Sequence, residues 1–148
     1  SYCRVEFQKQ GLAPCDVQGS LSFNQRRGTL RGMHYQSAPC AEAKVVRCMR
    51  GALYDVIIDL RPTSPSYCRW ISTELSEKNY RALYIPEGFA HGFQTMRDET
   101  VVAYQMSVPF SPEHARGVRW DDPAFAIRWG LPICEISEKD RNYPDFVP

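Results

Sequence analysis

Residues 52–60 read ALYDVIIDL, and residues 61–66, which follow directly, read RPTSPS. Side chains of a β-strand alternate between its two faces, so the two aspartates of the first stretch, Asp55 and Asp59, share one face. The opposite face then carries five mostly apolar residues, which are Ala52, Tyr54, Val56, Ile58 and Leu60. The second stretch combines two prolines with serines and a threonine, which is typical of a turn. A strand that ends in such a turn is the repeating unit of an antiparallel sheet.

Similar units recur along the chain, whereas a helical period of apolar residues is hard to find anywhere. The predicted strands are residues 29–36, 44–50, 52–60, 67–75, 80–85, 89–96 and 100–106. Strands of roughly six to nine residues at regular spacing favour an all-β fold, a jelly roll or related barrel of antiparallel strands. No linker or repeat divides the sequence, so we expect residues 1–148 to form a single domain.

The composition argues against several classes of protein. Of the 148 residues, 43% are hydrophobic and 24% are charged, which is typical of a globular domain. A net charge of +1 does not favour nucleic-acid binding, and no apolar run reaches the length of about 18 residues that a membrane span needs. The six cysteines are widely spaced, without a Cys-x-x-Cys pair, and no signal peptide is visible. We therefore expect reduced, mostly buried cysteines and a cytoplasmic protein.

The three histidines are the first candidates for chemistry. His34 and His91 lie inside predicted strands with apolar neighbours, whereas His114 lies two residues after Pro112 in a predicted loop. A metal site needs three or four converging ligands. His34 is followed by Tyr35 and Gln36, so the strand lacks a His-x-His pair that would place two ligands on one face. We therefore expect a site that binds no metal.

Proton transfer is the alternative to metal chemistry. Histidine has a pKa near 6.5, which suits a general base, and a carboxylate commonly holds its second ring nitrogen. The candidate carboxylates are Asp55, Asp59, Asp121, Asp122 and Asp140. A tyrosine could serve as the acid, and the candidates in predicted strands are Tyr54, Tyr84 and Tyr104. The residues thus predict acid–base chemistry inside a barrel and leave the individual assignments open.

Four ordered segments carry a resemblance to a known family. Residues 27–36 read RGTLRGMHYQ, residues 84–93 read YIPEGFAHGF, residues 111–123 read SPEHARGVRWDDP, and residues 136–140 read ISEKD. In this order they resemble the dTDP-4-dehydrorhamnose 3,5-epimerases. The resemblance implies a cupin-like jelly roll, a homodimer, and no metal or other cofactor. It also implies epimerisation of a nucleotide-linked 4-keto-6-deoxy sugar, such as dTDP-4-dehydro-6-deoxyglucose, at carbon 3, carbon 5 or both.

The resemblance also implies roles for individual residues. His34 matches the general base, Asp140 the carboxylate that orients it, and Tyr104 the proton donor. Lys44 matches a lysine near the keto oxygen of the substrate. The positions that match substrate-contacting residues are Arg31, His91, Phe110, Glu113, Lys139 and Gln18.

Three features depart from the family pattern or conflict with simple strand geometry. Phe110 occupies a position where a tyrosine usually stacks on the nucleotide base, and a phenylalanine keeps that aromatic face. Ser20 occupies a position where asparagine is common. Arg31 and His34 are three residues apart, so strict alternation would point them to opposite faces. A bulge at Gly32 would turn both inward, and without it Arg31 would have a structural role.

Two alternatives remain at this point. A related cupin ketoisomerase would use the same base and a different site of protonation, and a non-catalytic homologue would bind a nucleotide sugar without turning it over. Family members usually carry further residues before the position of Ser1, so we expect a preceding segment that includes an exchanged dimer strand.

Overall fold

A computed structural model describes residues 2–148, and these residues form nine strands and two short helices. In chain order the elements are α1 (Arg4–Lys9), β1 (Gln18–Asn24), β2 (Leu30–Gln36), β3 (Lys44–Arg50), β4 (Ala52–Asp59), β5 (Trp70–Ser76), β6 (Ala82–Ile85), β7 (Phe89–Thr95), β8 (Thr100–Met106), β9 (Ala115–Gly117) and α2 (Glu138–Arg141). Neither helix within residues 2–148 has the length and apolar character needed to span a membrane.

The strands form two sheets that pack against each other. One sheet has the order β1-β8-β3-β6 and the other the order β5-β4-β7-β2-β9, and neighbouring strands in both are antiparallel. Residues of both sheets build the core between them, which contains Val46, Cys48, Leu53, Ile57, Leu75, Ile85, Phe93 and Val102. The prediction of an all-β fold of antiparallel strands is therefore confirmed.

Strand β4 shows the predicted alternation, and both of its faces are covered. Leu53 and Ile57 belong to the core between the sheets. Val56 and Ile58 point the other way, into a second core under the C-terminal segment that contains Phe125. Because β4 lies between two apolar layers, nearly all of its residues are buried.

Two predicted strands begin later than expected, and the backbone gives the reason. Cys68 has a φ of +62° and Tyr80 a φ of +55°, and neither value is compatible with an extended strand. The predicted strand 67–75 therefore starts at Trp70, and the predicted strand 80–85 starts at Ala82.

Strand β1 was not predicted, although polar and apolar residues alternate along it from Ser20 to Phe23. Its polar residues Ser20 and Ser22 face inward, whereas Leu21 and Phe23 face outward with 73% and 58% of their surface exposed. The expectation about the cysteines was also wrong in one respect. All six are unpaired, as expected, but only Cys15 and Cys48 are buried.

The bulge at Gly32 is present and resolves the conflict between Arg31 and His34. On β7, the partners of Arg31 and His34 are Phe93 and His91, so three steps along β2 match two steps along β7. Phe93 and His91 share one face of β7, and the extra residue on β2 therefore turns Arg31 and His34 to the same side. The prediction of a bulge is confirmed.

Glycine at position 32 is needed for two independent reasons. Its φ is +124°, a value that side chains rarely allow, and a Cβ there would lie 2.5 Å from the Cα of Gly92. The bulge therefore depends on the contact between two backbones.

We expect Gly32→Ala to lower the free energy of unfolding by about 3 kcal/mol or more, because it adds both conformational strain and a backbone clash. Gly11→Ala is the matched control, since Gly11 has a φ of +71° but nothing within 4 Å of a Cβ. The control should cost about 1 kcal/mol. Equal losses in urea denaturation would show that the contact with Gly92 is unimportant.

Candidate active site

A cavity of about 460 Å³ opens between the two sheets near β1, β2, β3 and β8. The lining includes eight of the ten residues that the sequence singled out, which are Gln18, Arg31, His34, Lys44, Tyr104, Phe110, Lys139 and Asp140. The two others lie elsewhere. His91 is buried beneath the cavity, and Glu113 is exposed in the loop before β9.

His34 and Asp140 form the central polar pair of the cavity. The Nε2 atom of His34 lies 2.6 Å from Oδ1 of Asp140, and the second carboxylate oxygen accepts the N–H of Gly32 at 3.1 Å. The side chain of Asp140 is 5% exposed, whereas that of His34 is 45% exposed. Of the five aspartates that the sequence left open, Asp140 is the partner of the histidine that faces the cavity.

A helix cap places Asp140. Ser137 precedes α2, and its hydroxyl oxygen accepts the backbone N–H of Asp140. Burial raises the pKa of the Asp140 carboxyl, but the hydrogen bond and the charge of His34, together with the bonds from Gly32 and Ser137, outweigh it. The net effect holds the pKa of Asp140 below its ordinary value, so this group is an ionised acceptor at neutral pH.

Tyr143 backs His34 and was not singled out from the sequence. The two rings meet edge to face, with centroids 6.4 Å apart. Gly117 is paired with His34 on β9, and a Cβ at this glycine would overlap the Tyr143 ring. The missing side chain of Gly117 thus provides the space in which Tyr143 packs. Burial, followed by the charge of Asp140, raises the pKa of Tyr143.

Tyr104 reaches the cavity from the opposite sheet. It lies on β8, whereas His34 lies on β2. Burial raises the pKa of the Tyr104 phenol well above its ordinary range, and the charge of Asp55 raises it further, while Arg31 acts in the opposite direction. The hydroxyl is therefore neutral at physiological pH and can donate a proton.

His91 belongs to a second histidine–aspartate pair, below Tyr104. Its Nε2 lies 2.7 Å from Oδ1 of Asp55, and the side chains of the pair are 5% and 0% exposed. The ring centroids of His91 and Tyr104 are 6.2 Å apart. His91 therefore lies at the floor of the cavity, against Tyr104, and is not among the residues that line it.

Lys44 has a partner that the sequence analysis missed. Its Nζ lies 2.7 Å from Oε1 of Glu42, and the two side chains are 9% and 11% exposed. The i, i+2 spacing in an extended segment could have indicated this pair, because such residues point to the same side. Arg31 is also held by a neighbour, since its Nε donates to Oδ1 of Asn24 at 2.6 Å.

Among residues 2–148, no three His, Cys, Asp or Glu side chains converge in a way that could hold a metal ion. The histidine–aspartate pairs are separate, and each contains one carboxylate.

Comparison with known proteins places this geometry in a family. The model of the dTDP-4-dehydrorhamnose 3,5-epimerase family matches residues 1–147. The chain belongs to this epimerase family. A dTDP-4-dehydrorhamnose 3,5-epimerase from Sinorhizobium fredii is 48% identical over 131 residues, which are 88% of this chain and 67% of the relative. A Pseudomonas aeruginosa relative of the same name is 42% identical over 148 residues, or 99% of this chain and 81% of the relative.

Solved structures of epimerases have the same fold. A dTDP-4-dehydrorhamnose 3,5-epimerase from Bacillus anthracis with TDP and PPi bound has a TM-score of 0.93 and 39% identity, covering 98% of this chain and 83% of that one. ChmJ, a 3'-monoepimerase from Streptomyces bikiniensis in complex with dTDP-quinovose, has a TM-score of 0.87 and 30% identity, covering 98% and 74%. The prediction of a cupin-like jelly roll is confirmed by these relatives.

The different exposure of the histidines can be tested chemically. We expect diethyl pyrocarbonate to modify His34 readily and His91 much more slowly, because 45% and 5% of these side chains are exposed. Peptide mass spectrometry measures the two rates, and urea-unfolded protein is the control in which they should become equal. Equal rates in the native protein would contradict the assignment of His34 to the cavity and His91 to its floor.

Proposed function

We propose that this protein epimerises a nucleotide-linked 4-keto-6-deoxy sugar, dTDP-4-dehydro-6-deoxyglucose, at carbon 3, carbon 5 or both. One observation carries the proposal. A histidine–carboxylate pair and a neutral tyrosine enter one cavity from two facing sheets. A sugar ring held between the sheets would present one face to His34 and the other to Tyr104. Inversion of a carbon requires this arrangement, because the proton leaves from one face and returns to the other.

His34 is the base in the proposed mechanism. Since Asp140 is ionised, Nε2 of His34 carries the hydrogen of their bond and Nδ1 is free to accept a proton. Nδ1 takes the proton from the carbon next to the ketone, and the electron pair of the C–H bond becomes that of an enolate. The charge of Asp140 stabilises the imidazolium that forms.

Lys44 and Tyr104 complete the reaction. The ammonium group of Lys44, kept in the cavity by Glu42, offsets the negative charge of the enolate oxygen. The hydroxyl of Tyr104 then gives its proton to the carbon from the opposite face, and exchange with solvent restores both side chains. The carbon gains and loses one proton with no change of oxidation state, so the proposed mechanism uses no redox cofactor, and Lys44 supplies the positive charge that a metal ion would otherwise provide.

The other cavity residues bind the substrate in this proposal. Phe110, which is 58% exposed at the rim, offers an aromatic face to the nucleotide base. Arg31, Lys139 and Gln18 supply polar contacts. Remote contacts of this kind hold the sugar in place for the chemistry. Because their positions lie outside the cavity lining, His91 and Glu113 are not included.

An exposed apolar patch on the outer surface of the four-stranded sheet favours a homodimer. Three apolar side chains on β1 and β3, Leu21, Phe23 and Met49, are each more than half exposed, and the first two are paired with Ala103 and Val101 of β8. A patch of apolar residues next to a free strand edge is typical of an interface. We propose that a second copy covers it. A cytoplasmic location fits the nucleotide substrate and the six unpaired cysteines.

We expect Leu21→Glu to convert a dimer of 17.0 kDa subunits into monomers, since it places a charge in the apolar patch. Ile71→Glu is the control, because Ile71 is 63% exposed on β5, an edge strand of the other sheet. Analytical ultracentrifugation measures both. A wild-type protein that stays monomeric at micromolar concentration would contradict the proposal.

The two halves of the reaction can be separated in heavy water. We expect His34→Asn to abolish exchange of the protons next to the ketone, since no base remains on that face. Tyr104→Phe should still exchange at least one of these protons with retention, while epimer formation falls by about 10²–10⁴-fold, which is typical for loss of one acid–base group. Deuterium at carbon 3, carbon 5 or both, read by NMR, also identifies the inverted carbons.

Tyr54→Phe is the matched control, because Tyr54 lies on the opposite side of the five-stranded sheet, against Trp129. It should exchange and epimerise like the wild type. Normal exchange by His34→Asn would remove His34 as the base. A ketone that moves to another carbon would show a ketoisomerase, and binding without exchange would show a nucleotide-sugar-binding protein.

A further inference from the structure

Two glutamine side chains hold the loop that carries Phe110. The backbone N–H of Phe110 donates to Oε1 of Gln18 at 2.8 Å, and the N–H of Ser111 donates to Oε1 of Gln36 at 2.6 Å. The Nε2 group of Gln36 donates to the carbonyl oxygen of Pro109 at 3.3 Å. Three consecutive residues of the loop are thus bound to side chains from β1 and β2, strands of the two different sheets.

Gln36 is committed to the protein backbone, although it lines the cavity. It is 3% exposed, and its Nε2 group also donates to the carbonyl oxygen of Cys40 at 3.0 Å. Both hydrogens of its amide therefore have acceptors within the protein, and none is left for a ligand. Gln18 differs, because only its oxygen is engaged by Phe110 among the described contacts. Gln36 therefore acts on binding through the backbone that it holds, at Pro109 and Ser111 on both sides of Phe110 and at Cys40.

The loop needs such support because Phe110 makes little contact of its own. More than half of its surface is exposed, and the residues around it form no strand or helix. A loose aromatic ring would lose conformational freedom when a base stacks on it, which weakens binding. Fixing the backbone on both sides of the ring removes part of that cost before the ligand arrives.

Gln36 also relates the loop to the reacting end of the cavity. It lies two residues after His34 on β2, so the two side chains point to the same side of the strand. One strand therefore carries both the histidine and the group that holds the Phe110 loop. The distance between the two ends of the bound nucleotide sugar would then be set by the rigid backbone of β2.

We propose that Gln36 is a positioning residue that fixes Phe110 as the platform for the nucleotide base. The identity of the ligand rests on the proposed function, whereas the hydrogen bonds to the loop do not. In this proposal Gln36 touches neither the base nor the reacting carbons, and its loss weakens binding without changing the chemistry of the bound sugar.

The test uses thymidine diphosphate as the probe, with affinity measured by calorimetry so that no turnover is needed. We expect Gln36→Met, which is nearly isosteric and forms no such bonds, to raise the dissociation constant by about tenfold, close to the effect of Phe110→Ala. The double variant should bind no more weakly than Phe110→Ala alone, because Gln36 acts through that ring. With the sugar nucleotide, KM should rise and kcat should change little.

Gln94→Leu is the matched control. Gln94 is also a buried strand glutamine that holds a loop, since its side chain accepts the N–H of Leu131 at 3.0 Å and donates to the carbonyl oxygen of that residue at 2.8 Å. That loop lies outside the cavity. The control should lower the melting temperature as Gln36→Met does and leave the affinity for thymidine diphosphate unchanged.

Additive losses in the double variant, or equal losses of affinity in the Gln94 control, would overturn the proposal. If Gln36→Met does not fold, Gln36→Glu keeps the acceptor for Ser111 and is placed in the same double-variant comparison. A wild-type protein that binds no thymidine diphosphate would refute the claim that Phe110 is a platform for the nucleotide base. Binding without epimerisation would instead refute the proposed function, and the double variants would still decide the role of Gln36.

Discussion

The contact between the backbones of Gly32 and Gly92 is the constraint on which the rest of the site depends. It lets β2 carry one extra residue against β7, which turns Arg31 and His34 to the same side. A bulge frees a backbone N–H from the sheet, and a buried N–H needs a partner. Asp140 accepts the N–H of Gly32 with one oxygen and binds His34 with the other. One carboxylate therefore accepts the hydrogen bond of the backbone N–H that the bulge leaves unpaired, and it also orients the histidine.

The two histidine–aspartate pairs inside the barrel differ in how deeply they are buried. The Asp55–His91 pair is sealed beneath Tyr104, whereas in the Asp140–His34 pair only the carboxylate is buried. Removing charged groups from water is costly unless they are paired, and the buried carboxylate of each pair has a histidine ring nitrogen at 2.6 or 2.7 Å. Lys44 follows the same rule with Glu42. The cavity can thus contain a base, a cation and a neutral phenol within an otherwise apolar fold.

The sequence predicted those parts of the fold that follow from alternation and turns. The alternation along β4 and the position of the bulge at Gly32 could be expected from the local order of residues, but the burial of both faces of β4 could not, because it depends on segments that are distant in the sequence. The side chains of β1 also alternate, but the sequence could not show that its polar residues face the cavity while its apolar ones lie on the outer surface, because that orientation depends on the packing of the sheets. The late starts of β5 and β6 depend on positive φ values at Cys68 and Tyr80, residue types that carry no turn signal.

Site residues show a similar division. Eight of the ten residues that the resemblance singled out line one cavity. The local pattern could not show that His91 lies beneath this cavity or that Glu113 is exposed to solvent. Those placements depend on how distant strands pack. The i, i+2 spacing could have indicated Glu42 as the partner of Lys44. No such pattern indicates Tyr143, because its position follows from the space that Gly117 leaves on β9.

The histidine and its carboxylate are separated by 106 positions in the chain, and α2 follows all nine strands. Synthesis proceeds from the amino end, so the residues of all nine strands are added to the chain before Asp140. Until Asp140 is present, the N–H of Gly32 has no carboxylate to accept its hydrogen bond, and the ring of His34 has no carboxylate to orient it. A chain that ended before Asp140 would therefore contain all nine strands, but it would lack both the partner of His34 and the acceptor for the N–H of Gly32.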